Sequence, residues 1–114
     1  MKASLAWWDL KESDQTVDTL RAYLRDEGVE GWRDVPGLRL KCWIADREGN
    51  RWGALMLWES DNTAPRESLP PNRAMELIGY PPTDRFAFDV EAAVEGRYDS
   101  PVLDGLGPAL AAAH

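Results

Sequence analysis

The sequence predicts an α+β domain, an antiparallel sheet with helices on one face. Three observations carry that prediction. Four stretches hold the apolar residues of strands, and the clearest of them alternate with a period of two. Two others place apolar residues at helical spacing, and the breaks between them are rich in Gly, Pro, Asn and Asp. The clearest part is a pair of strands, Leu38 to Ala45 and Trp52 to Trp58, around the turn DREGNR.

Taken in order, Ser4 to Leu10 reads as the first strand, with Trp7 and Trp8 on opposite faces. Ser13 or Asp14 is placed to cap a helix from Thr16, in which Val17, Leu20 and Leu24 share one face. Gly28 and Gly31 should weaken or end it, and Trp32 should fold back on the core. Val35-Pro36-Gly37 is a turn signal. In the second strand Leu38, Leu40, Cys42 and Ile44 face one way, and Arg39, Lys41 and Trp43 the other. Gly49 or Asn50 can take the positive φ of the hairpin. In the third strand Gly53, Leu55 and Leu57 oppose Trp52, Ala54, Met56 and Trp58. Asp61 to Pro71 reads as a loop with a helical turn near Pro65 to Leu69. Asn72 is placed to cap a short helix, Arg73 to Ile78, which Gly79 and Pro81-Pro82 close. Arg85 to Val94 is the last strand. The domain covers residues 1–99, and residues 100–114 form a tail that either packs on a partner subunit or is loose.

Strand, helix, strand, strand, helix, strand is the ferredoxin-like βαββαβ order. One face of each strand is plainly apolar and should meet the helices. The other mixes Trp43, Trp52, Met56 and Trp58 with Arg39, Lys41 and Asp89. Water would not be left against so many aromatics, and no third layer remains in the chain. A second copy is the economical cover, so a homodimer forming a dimeric α/β barrel is expected.

The totals exclude several classes. With 44% apolar residues the chain is globular, and its net charge of −7 argues against nucleic acid and against anionic membrane surfaces. Cys42 is the single cysteine, so neither a disulfide nor a cysteine metal site is expected. The opening MKASLAWWDL is too short an apolar run for a signal peptide or a membrane span, and the expected location is cytoplasmic. No phosphate-cradling glycine loop, metal-ligand cluster or Ser/His/Asp set is present, so no cofactor is expected.

The run Pro36-Gly37-Leu38, Lys41-Cys42-Trp43 and Gly53 to Trp58 resembles the dimeric α/β barrel superfamily. Its nearest branch is the monooxygenases of the YdhR type, related to the antibiotic-biosynthesis monooxygenases. Lys41, Trp43, Gly53 and Trp58 match the pattern over about a quarter of the chain, whereas Met56 stands where relatives carry an aromatic. Haem-degrading members use an axial histidine, and the one histidine here is the terminal His114. The resemblance implies cofactor-independent oxygenation of a small aromatic or polyketide-like molecule.

In that scheme the substrate stacks between Trp43 and Trp58 beside Met56, and Lys41 holds a phenolate oxygen. Asp89, or with less reason Glu91, removes the phenolic proton, and Arg85 or Arg39 steers an anionic group. The plainer alternatives are that the tryptophans fill the dimer core and that Lys41 and Asp89 form a cross-strand pair. A non-catalytic small-molecule-binding or stress-related barrel is the alternative function.

Overall fold

The computed structural model of the protein describes residues 1–59, 73–97, 103 and 107–111. In chain order these form β1 (Lys2–Asp9), α1 (Val17–Tyr23), β2 (Leu38–Asp46), β3 (Arg51–Trp58), α2 (Arg73–Ile78), β4 (Asp84–Asp89) and α3 (Pro108–Ala111). The strands build one antiparallel sheet in the order β2-β3-β1-β4. The predicted α+β class is therefore observed. The loop from Asp61 to Pro71, its turn at Pro65 to Leu69, the Asn72 cap and most of the tail fall outside the described residues.

The cap of α1 is Thr16, not Ser13 or Asp14. Its hydroxyl accepts from the Thr19 N–H at 3.2 Å, and Thr19 Oγ1 accepts from the Thr16 N–H at 2.8 Å. Ser13 is used elsewhere, donating to the Ile78 carbonyl at 2.9 Å and so tying the approach to α1 onto the end of α2. Past Tyr23 the helix widens into a π turn over Leu24–Gly28, followed by a 3-10 turn over Glu30–Trp32. This is where the glycines were expected to end it. At the β2–β3 turn the positive φ falls to Asn50, at 54°, while Asp46 accepts from the Gly49 N–H. The last strand stops at Asp89 rather than Val94, because its partner β1 begins at Lys2, opposite Asp89.

Register assigns the faces, since residues directly opposed in an antiparallel pair point the same way. Trp8 opposes Trp52, Ala6 opposes Ala54, and Lys41 opposes Met56. This is the face the helices cover. Trp8 and Trp52 are buried with Leu10, Val17, Leu20, Leu24 and Ile78, while Trp58 and Val35 form a second cluster with Trp32, Leu38 and Met56. The expectation is thereby reversed: the tryptophan face meets the helices, and the aliphatic face does not. A bulge at Arg39 breaks the alternation, placing Leu38 opposite Trp58 and Leu40 opposite Leu57.

The other face carries Ala3, Leu5 and Trp7 of β1, Leu40, Cys42 and Ile44 of β2, Leu55 and Leu57 of β3, and Phe86 and Phe88 of β4. None of these belongs to either core cluster. Phe86 and Phe88 are stacked on each other and are 48% and 49% exposed. Gly53 sits opposite Trp7 on this face, where a Cβ would lie 2.3 Å from the Ala6 carbonyl oxygen and 2.5 Å from the Trp7 ring. The strand therefore needs glycine for close approach. Among the described residues no helix is long and apolar enough to cross a membrane.

Candidate functional site

An open groove of about 870 Å³ runs along the free edge of β2. Its walls are β2, the end of α1 with the turns that follow it, and α3, which packs back on α1 and on the π turn of its own chain. The described part of the tail thus lines the groove by packing on its own chain. The wide turn at Leu24–Gly28 and the 3-10 turn after it bring Leu24, Val29 and Trp32 to the groove.

Lys41 is the chemical centre. It alternates onto the helix-covered face of β2 and is partly buried there, with Nζ 3.1 Å from the Trp32 ring centroid and 4.9 Å from that of Trp43. No carboxylate or other hydrogen-bond acceptor among the described residues pairs with it. Burial disfavours the ammonium and brings its pKa from 10.5 down to about 7. The two indole faces act the other way, favouring the cation by the pull of their π quadrupoles. Arg21, Arg33 and Arg39 line the same groove, and no Asp or Glu does so among the described residues. Arg39 reaches Glu59 at 2.8 Å and Arg33 reaches Glu30 at 2.8 Å, so part of that charge is balanced from outside. The groove is nonetheless a cationic, indole-lined spot on an acidic chain.

The structure brings together Lys41 and Trp43 of the expected site, and places the rest elsewhere. Trp58 is buried, and Met56, although it opposes Lys41 on the sheet, packs with Trp58 and Val35. Arg85 is exposed on β4. Asp89 sits on that same edge strand, three strand spacings (roughly 14 Å) from β2. Its partner is Lys2 at 2.5 Å, not Lys41, and the hydrogen bond from Lys2 holds its pKa below the usual carboxylate value.

Sequence reasoning did not single out Trp32, Arg21 or Arg33 as site residues. Trp32 was read as core, and only the irregular turns that follow α1 bring it over a lysine nine positions away. Tyr80 braces the fold rather than the groove, since its carbonyl accepts from Trp8 Nε1 and its hydroxyl donates to the Asp9 carbonyl. No group of three His, Cys, Asp or Glu that could hold a metal ion occurs among the described residues. No protein-family model matches the chain, and no curated protein matches it.

Proposed function

We propose that the chain binds a small, planar, anionic aromatic molecule in the groove along β2. It does so as one ferredoxin-like βαββαβ protomer of a dimeric α/β barrel. A single observation carries the binding proposal: a groove of about 870 Å³ in which Trp32, Trp43 and Trp52 share the lining with Arg21, Arg33, Arg39 and Lys41, with no described carboxylate. That volume lies within the usual range for small-molecule sites. Indole faces supply sequence-independent stacking area, and fixed cations select a carboxylate or phenolate. The barrel reading is supported by the element order and by the strand order β2-β3-β1-β4. The second copy is supported by the apolar sheet face described above, which two copies can present to each other across a two-fold axis.

Tryptophan fluorescence tests the groove. Naphthoate and hydroxylated aryl acids are expected to quench it saturably, and Trp32→Phe or Trp43→Phe should remove most of the change. Uncharged analogues should bind at least about tenfold more weakly if a cation pairs with the carboxylate. Linear, unsaturable quenching across the panel would overturn the proposal.

One observation favours oxygenation as a second reading. An amine with a pKa of about 7 is matched to removing a phenolic proton near neutral pH, so Lys41 can take the role first given to Asp89. The electron-rich phenolate would then reduce O₂: the ring C–H para to the phenolate oxygen becomes C=O, giving a quinone, and the second oxygen leaves as water. Oxygen uptake with the best-bound hydroxylated aromatic, abolished in Lys41→Met, is the expected result. A tight ligand that consumes no oxygen leaves the binding function alone.

A further inference from the structure

We propose that Lys41 captures carbonyl compounds covalently, forming an imine with an aryl aldehyde that carries a carboxylate. The inference rests on reading the groove as a ligand site. Three features of the groove lead to it. The amine lies against two indole rings, with no carboxylate or other hydrogen-bond acceptor among the described residues to hold it as the ammonium. It lines a groove with room for an aromatic ring and a side group. The charged groups lining that groove with it are Arg21 from α1, Arg33 from the turn before β2 and Arg39 from β2 itself. All three keep their charge through the neutral range and can attract a carboxylate into the groove.

The chemistry balances without an oxidant or a second reactant. The neutral Nζ lone pair attacks the carbonyl carbon, and the C=O π pair moves to oxygen, which takes up a proton as Nζ gives one to water. The resulting carbinolamine's hydroxyl takes up a proton and leaves as water, the nitrogen lone pair closes the C=N bond, and the iminium N–H returns its proton to solvent. Amine and aldehyde thus become imine and water. A desolvated lysine is the form of this side chain suited to the reaction. Burial brings the Lys41 pKa down to about 7, so far more of it is neutral at pH 7 than of an ordinary surface lysine.

The chain has three lysines, Lys2, Lys11 and Lys41, and one amino terminus, so selectivity can be read directly. The intact protein is incubated with para-carboxybenzaldehyde and cyanoborohydride at pH 7, and the reduced adduct is located by peptide mass mapping. Label is expected at Lys41 about tenfold faster than at Lys2, Lys11 or the amino terminus. Its rate should rise through pH 7 rather than near 10. Excess naphthoate should block it in the unmodified protein, which keeps the test independent of any variant's folding. Lys41→Arg should remove the label. Saturable naphthoate binding with label no faster at Lys41 than elsewhere overturns the imine and leaves the groove. Neither binding nor selective label overturns both.

Discussion

Lys41 concentrates the consequences that belong to single residues. Its pKa is lower in the folded chain than in the unfolded one, so between about pH 7 and 10.5 the unfolded chain binds the extra proton. Stability therefore rises with pH through that window, by up to about 1.4 kcal/mol per pH unit, and the group's contribution is constant below it. Lys41→Met, which is close in volume, removes both the slope and the burial cost. The variant is expected to be more stable by about 1–3 kcal/mol at pH 7, with the difference shrinking by pH 10. Urea unfolding at pH 7, 8.5 and 10 measures it. Parallel wild-type and variant profiles would mean that the indoles hold the charge as well as water does. Lys41 and Trp43 were legible as site residues because strand alternation places them on one face together. Asp89 was misplaced because alternation reports the face of a residue, not which edge of the sheet its strand occupies.

At the scale of the element, the limits of sequence signals are clearest around α1. Ser13 and Asp14 look as good a cap as Thr16, and what separates them is the Ser13 hydroxyl's bond to the Ile78 carbonyl, a contact 65 residues away. Thr16→Ala should therefore cost about 1 kcal/mol, a loss of roughly 4 °C in Tm, by leaving the Thr19 N–H without its acceptor. Asp14→Ala, at a position with no role in that capping box, should change Tm by less than half as much. Equal losses would return the cap to Asp14. The bulge at Arg39 was equally hidden. Leu38 and Leu40 alternate in sequence as though they share a face, and only pairing with β3 shows that one extra residue splits them.

For the whole molecule, the apolar sheet face sets the prediction. A face with Phe86 and Phe88 about half exposed beside Leu5, Leu40, Leu55 and Leu57 is larger than a lone domain commonly leaves in water. Light scattering of the eluted protein should give twice the chain mass at micromolar concentration. Leu55→Glu, at the centre of that face, should give the monomer by desolvating a carboxylate in the contact, whereas Arg85→Glu on the other face should leave the dimer. A wild-type monomer, or a dimer that survives Leu55→Glu, would assign the pairing to another surface.

The sequence by itself determined the number and order of the strands, the second helix to the residue, the turns at Gly37 and near Asn50, and the shared face of Lys41 and Trp43. Those are local properties, written in alternation, in caps and in the few residues that accept positive φ. Only the tertiary structure decided which sheet face the helices cover. Both faces are apolar enough to be buried, so hydropathy does not choose between them. The choice depends on how the helix joining β1 to β2 crosses over β3, a matter of handedness and packing across the whole sheet. Trp8 and Trp52 fill the core against the helices, with Val17, Leu20, Leu24 and Ile78, while Trp58 packs with Val35, Trp32, Leu38 and Met56. The same decision put Lys41 beneath Trp32, and so made the groove.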